Sequence, residues 1–176
     1  MTVPDPLGRP LPAPGPKAFS SAAPGPDDRP LPFFVYGTLR PGEANHARHL
    51  RGRTAAEEPA RLPGTLLYDG PGYPYLARAG AGDGGGAAGV LGELVTAAPG
   101  EYAALLAVLD ALEEFLAPGH PLNAYERERC EAVRLADGAR VAAWVYVAAP
   151  AVRPGAAITG GDWLTRPGRA PLPPPP

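Results

Sequence analysis

Three stretches of this chain predict an α+β domain. Phe33-Phe34-Val35-Tyr36 is a run of four β-prone residues that ends at Gly37 and Thr38. Pro99 to Phe115 carries apolar residues at helical spacing, and Tyr125 to Val147 reads as two strands around an Asp-Gly turn. With 176 residues, the chain is long enough for one domain with a substantial core.

Composition sets the boundaries of that domain. The 26 Pro and 23 Gly make up more than a quarter of the chain and are unevenly placed. Ten Pro fall within residues 1–32, and the chain ends Pro171-Leu172-Pro173-Pro174-Pro175-Pro176. Residues 1–31 have few large apolar side chains and cannot offset the entropy of ordering, so a disordered tail is expected. Residues 167–176 are expected to be a second such tail, which leaves 32–166 as the folded domain. A formal charge of −2 gives no reason to expect nucleic acid or an anionic membrane as a partner. Cys130 is the only cysteine, so no internal disulfide forms and no Cys-based metal site is expected. No other metal and no cofactor are expected. No apolar run reaches membrane-spanning length, and a cytoplasmic location is expected.

In chain order, Phe33–Tyr36 is a short buried strand running into a loop and then a helix start. At its carboxyl end the amides of Gly37, Thr38 and Leu39 lose their ladder partners, and unpaired donors are costly to bury. Gly37 has no side chain to keep a ligand off the backbone. Such a loop suits a small carboxylate; an ordinary strand-to-turn junction is the other reading. Glu43 to Arg51 is a short helix, with His46 and His49 either sharing a ligand or lying on the surface. Thr65–Tyr68 is a strand following the turn at Leu62-Pro63-Gly64. Gly72 to Leu76 is a tight aromatic segment in which Pro74 points to an edge or irregular position. Gly80 to Ala88, nearly all Gly and Ala, is a flexible hairpin loop without the Lys and Ser/Thr of a phosphate loop. Val90–Val95 resumes the sheet, and Gly92 marks a bulge or a close contact.

The clearest helix spans Pro99 to Phe115. At about 100° per residue, Tyr102, Leu105, Leu106, Leu109 and Leu112 form one stripe, with Glu113 inside it, Asp110 at its edge and Glu114 off it. A carboxylate on an apolar face needs a role or a partner. Alternatively, so near the helix end, Glu113 reaches solvent. After a Pro/Gly loop over Leu116–Asn123, Tyr125, Arg127, Arg129, Glu131, Val133 and Leu135 share one strand face. Asp137-Gly138 turns the chain, and Arg140–Val147 returns. Trp144 and Tyr146 share a face there, either as core or as pocket walls with a polar tip each.

In order and spacing, a set of short motifs resembles the gamma-glutamylcyclotransferase-like, or AIG2-like, superfamily over residues 33–163. They are Tyr36-Gly37-Thr38-Leu39, Gly72-Tyr73-Pro74, Gly89 to Glu93, Leu109-Asp110-Ala111-Leu112-Glu113, Tyr125-Glu126-Arg127, Ala143-Trp144-Val145-Tyr146 and Gly161-Asp162-Trp163. The resemblance implies a small mixed β-barrel flanked by helices, with a polar cavity at its mouth. It implies that the loop after the first strand holds the α-carboxylate of a small γ-glutamyl substrate, and that Glu113 is the catalytic acid/base. Tyr36, Gly37, Thr38, Leu39, Tyr73, Tyr125 and Tyr146 are the implied substrate-binding residues. The implied reaction uses no water: the substrate's α-amine attacks its own δ-carbonyl, giving 5-oxoproline and a free amine.

That chemistry suits the residues. The substrate brings its own nucleophile, so no activated Ser or Cys is needed. One carboxylate can take the ammonium's proton and return it to the leaving nitrogen. Near a helix C-terminus, among apolar residues and beside Asp110 and Glu114, Glu113 is expected to hold its proton more tightly than a free carboxyl does. Two features depart from the family pattern. Glu114 stands where many members have Gly, and the loop 116–124 is long and is expected near the pocket. A non-catalytic protein binding an amino-acid-like ligand is the second reading. The joint presence of the Tyr36–Leu39 motif and Glu113 favours the enzyme, because a binder has no need of a buried acid.

Overall fold

The protein is represented by a computed structural model, which describes residues 30–80, 89–153, 155–166 and 168. The expected tails lie outside the described residues except at 30, 31 and 168, and so does the expected Gly80–Ala88 loop beyond Gly80. The elements are β1 (Phe33–Val35), α1 (Ala44–His49), β2 (Thr54–Leu62), β3 (Thr65–Tyr68), β4 (Tyr75–Arg78), β5 (Val90–Ala97), α2 (Tyr102–Leu112), β6 (Tyr125–Arg134), β7 (Arg140–Ala148) and a 3-10 turn at Trp163–Thr165. No helix among the described residues is long and apolar enough to cross a membrane.

Five strands close a barrel in the order β1-β5-β2-β6-β7, and β3 and β4 form a separate two-stranded sheet. All ladders are antiparallel except β1 with β7, which pair in parallel at Phe33 and Trp144. A mixed barrel flanked by helices is thus what the chain forms. Strand β1 is buried on both faces, which is why its residues form a continuous apolar run rather than an alternating one. Phe34 points into the barrel with Leu62, Val90, Leu94, Val145 and Trp163. Phe33 and Val35 point outward, against Leu105 and Leu109 of α2. Gly92 is a close contact, as a Cβ there would sit 2.2 Å from the Val35 carbonyl oxygen and 2.8 Å from the Phe34 ring.

Strand β2 was not apparent from sequence. Thr54-Ala-Ala-Glu-Glu-Pro-Ala-Arg-Leu has few β-branched or aromatic residues, and Pro59 argues against a central strand. It is held by its neighbours: β5 pairs along its whole length, whereas β6 pairs only at Ala60 and Arg61. Pro59 sits where the β6 ladder runs out, its carbonyl accepting the Leu135 N–H at 2.9 Å. The missing proline N–H therefore interrupts no continuous ladder.

Helix α2 is shorter than the expected Pro99–Phe115, because a Schellman cap ends it. The Phe115 N–H donates to the Asp110 carbonyl at 2.9 Å and the Glu114 N–H to the Ala111 carbonyl at 3.4 Å. Glu114 takes the left-handed position of that cap, with φ 51°, where glycine is the usual residue. Glu114 does turn to solvent as helical phase implied, but the cause is this reversal of the backbone. The hairpin of β6 and β7 is in register from Tyr125↔Ala148 to Val133↔Arg140, with Gly138 at φ 72° in its turn.

Candidate active site

A cavity of about 230 Å³ opens between the end of β1, the end of α2 and the start of β6. All eight residues expected to act or bind line it: Tyr36, Gly37, Thr38, Leu39, Tyr73, Glu113, Tyr125 and Tyr146. Asn45, Pro74, Leu109, Leu112 and Glu114 complete most of the remaining wall. The loop 116–124, expected near the pocket, contributes only Ala124. Its remainder is folded on Asn123, whose side chain accepts from the Leu116 N–H at 2.8 Å and donates to the Ala117 carbonyl at 2.7 Å.

One wall is the loop after β1. The Arg40 N–H donates to the Gly37 carbonyl at 3.0 Å, closing a tight turn over Thr38 and Leu39. Among the described residues, the amides of Gly37, Thr38 and Leu39 meet no backbone acceptor outside the strand ladders. Asn45 of α1 donates to the Thr38 hydroxyl at 2.9 Å and fixes that side chain. The absent Cβ of Gly37 has a nearer cause than ligand access: it would lie 2.6 Å from Pro74 Cγ and 2.8 Å from Cδ. Gly37→Ala is therefore expected to force the loop from Pro74 and cost about 1–3 kcal/mol of stability, measured by thermal or denaturant melting.

Arg40 anchors the same loop from behind. Its Nε and Nη2 donate to the two Glu93 oxygens at 2.8 and 2.9 Å, and its Nη1 donates to Asp162 Oδ1 at 2.5 Å. Asp162 in turn accepts the Leu164 N–H at 2.9 Å, capping the last turn, whose Trp163 is buried. Three motifs distant in sequence are thus tied at one guanidinium.

The opposite wall carries Glu113, the C-terminal cap residue of α2. Among the described residues its carboxyl has no hydrogen-bond partner, and burial alone pushes its pKa up from 4.5 to about 7. The expected contributions of Asp110 and Glu114 are absent, and the geometry shows why. Asp110 is engaged by Arg127 at 2.5 and 2.6 Å and by the Tyr146 hydroxyl at 2.7 Å, so its charge is neutralised. Glu114 is turned out to solvent. The Glu113 charge does reach two phenols: after burial, it is the next cause holding the hydroxyls of Tyr36 and Tyr125 well above their usual pKa. Both phenol protons are committed, Tyr36 donating to the Tyr146 carbonyl at 2.6 Å and Tyr125 to the Pro74 carbonyl at 2.9 Å. The Tyr36 oxygen also accepts from the Leu76 N–H, so of these two oxygens only that of Tyr125 keeps an acceptor site open among the described residues.

The model of the family described as gamma-glutamyl cyclotransferase, AIG2-like, matches residues 33–165. The chain belongs to this family. A gamma-L-glutamyl-butirosin B gamma-glutamyl cyclotransferase from Niallia circulans is 33% identical over 119 residues. The aligned stretch covers 65% of this chain and 65% of that relative, just under two thirds of its length. Among solved structures, an AIG2-like protein from Mus musculus superposes with a TM-score of 0.51 at 24% identity, over 77% of this chain and 82% of that one. An uncharacterized protein from Pyrococcus horikoshii superposes with a TM-score of 0.50 at 18% identity, over 76% and 90% of the two chains.

Within this AIG2-like domain, sequence reasoning missed two site residues. Asn45 lay on a helix read only as a helix. Asp110 was placed beside Glu113, but without its partners. Arg127 was read as part of a strand face; its guanidinium lies between Asp110 and the rings of Phe115 and Trp144, 4.8 and 5.2 Å away. Trp144 itself is half-buried rather than core, its indole donating to the Tyr102 hydroxyl at 3.0 Å. Tyr146 is buried and serves both readings, packing under α2 while lining the cavity. His46 pairs with Glu57 at 2.8 Å.

Proposed function

We propose that this protein is a gamma-glutamyl cyclotransferase that cleaves a γ-glutamyl amide by intramolecular cyclisation. The observation that carries this reading is Glu113, a half-buried carboxyl without a hydrogen-bond partner among the described residues, which lines the same small cavity as the loop of Gly37, Thr38 and Leu39. The loop's amides hold the substrate's α-carboxylate. The α-ammonium then faces Glu113 and the Tyr125 oxygen, both acceptors. Glu113 takes one ammonium proton, and the freed amine attacks the δ-carbonyl carbon, forming the new C–N bond. The old amide C–N bond breaks as Glu113 returns the proton to the leaving nitrogen, and the ring nitrogen then gives up its second proton, through the same carboxylate, to the departing amine. The products are 5-oxoproline and the amine as its ammonium, with no water consumed. Holding amine and carbonyl together supplies most of the acceleration, and proton transfer contributes roughly 10²–10⁴.

A screen of γ-glutamyl amides for 5-oxoproline release tests the reading. Release with at least one amide is expected. Binding of these amides with no release from any of them would favour the ligand-binding protein instead. The pH profile adds a second check. Glu113 must be ionised in the free enzyme to accept the proton, so kcat/KM is expected to rise through an acidic limb near pH 7. A limb near 4.5, the value of an unperturbed carboxyl, would show that another group controls the rate.

A further inference from the structure

Among the described residues the cavity is lined by no basic side chain. Its charged lining residues there are Glu113 and Glu114, and the other polar side chains are phenols, Thr38 and Asn45. The arginines that flank the site are already committed, Arg40 to Glu93 and Asp162 and Arg127 to Asp110, and neither lines the cavity. A substrate carboxylate in this cavity has backbone amides to meet it, but a second one has no counter-charge.

The two glutamates sit at different depths. Glu113 is half-buried in the cavity wall, whereas Glu114 is exposed and Tyr73, which lines the same cavity, is 40% exposed. Glu114 and Tyr73 therefore mark the mouth, towards which the leaving amine must point when the glutamyl end is seated at the loop. The Glu114 carboxylate forms no ion pair among the described residues. It also occupies the left-handed cap position, at φ 51°, although glycine there would relieve the strain. An unpaired charge kept in a strained backbone position at a cavity mouth is a feature the fold does not require.

We propose that Glu114 selects γ-glutamyl amides whose leaving amine carries a second positive charge, and that Tyr73 offers that cation an aromatic face. The inference rests on the cyclotransferase reading for its substrate frame and adds to it the class of amine released. The ammonium approaches an unpaired carboxylate and a ring able to accept a cation–π contact. A leaving group with a carboxylate meets two like charges instead, and is disfavoured.

Three amides of similar length test it: γ-glutamyl-putrescine (cationic), γ-glutamyl-butylamide (neutral) and γ-glutamyl-4-aminobutyrate (anionic). In the wild-type protein, kcat/KM is expected to fall in that order. The cationic amide should lead the neutral one by about fivefold at low salt, the ratio for unit charges about 4 Å apart in water. The lead should shrink at high ionic strength. Glu114→Gln should erase most of the cationic-to-neutral ratio, and Glu114→Arg should invert the cationic-to-anionic one. An unchanged ratio in Glu114→Gln, or equal use of cationic and anionic amides by the wild type, overturns the proposal. If no amide yields 5-oxoproline, the cyclotransferase reading fails. The selectivity is then decided by calorimetric titration of the same amides into wild type and Glu114→Gln, where an unaltered affinity ratio overturns it.

Discussion

Glu113→Gln is expected to lower kcat by at least about a hundredfold while the protein stays folded and still binds substrate. The amide keeps the carboxyl's shape at the end of α2 and its place in the cavity wall, but it cannot take a proton from the ammonium or return one to the leaving nitrogen. In the proposed reading the loop of Gly37, Thr38 and Leu39 binds the α-carboxylate, so KM should change far less than kcat. The same substitution should stabilise the fold. Burial raises the Glu113 pKa from 4.5 to about 7, so below 4.5 the carboxyl is neutral folded and unfolded, and it contributes nothing. Between 4.5 and about 7 the unfolded chain ionises while the folded one keeps its proton, and stability falls as pH rises. Above about 7 the penalty is complete. Glu113→Gln should therefore melt later than wild type at pH 8, and the gain should vanish at pH 4. Turnover within tenfold of wild type, in a variant shown by circular dichroism to be folded, would remove Glu113 from the proton-transfer role.

The parts of this site readable from sequence were those built by local pattern. The buried run at Phe33–Val35, the helix stripe that carries Glu113 and the Asp-Gly hairpin each follow from neighbours in the chain, and each formed. What stayed hidden depends on partners far away in sequence. Strand β2 is a strand because β5 pairs along it, not because its Ala, Glu and Pro residues favour one. Gly37 is fixed by Pro74, a residue that meets the loop through the fold and not through the chain. The environment of Glu113 was misjudged for the same reason. Periodicity put Asp110 nearby as a like charge, but only the register of β6 and β7 against α2 brings Arg127 and Tyr146 to cancel it. The helix end was misplaced by three residues because a Schellman cap on Glu114 uses a residue type that rarely marks one.

Arg40→Met is expected to have the largest effect on stability, a loss of about 3–5 kcal/mol in denaturant unfolding. The guanidinium side chain is 10% exposed and its Glu93 partner 9%, so both charges have been taken out of water. Removing the cation leaves Glu93 buried without a counter-charge and Asp162 without its donor. The double variant Arg40→Met/Glu93→Gln should recover part of the loss, because the stranded charge, and not the missing bond, accounts for most of it. Activity should suffer separately from stability. Arg40 closes the turn over Thr38 and Leu39 through its own N–H and ties that turn to β5 and to the Asp162 cap. With the tie cut, the loop amides lose their fixed geometry, so KM for a γ-glutamyl amide should rise several-fold, and the double variant should not restore it. An Arg40→Met protein within about 1 kcal/mol of wild type would mean that water enters this network and screens it. In that event the loop is held by Asn45 and Pro74 alone, and the substitution should leave KM where it was.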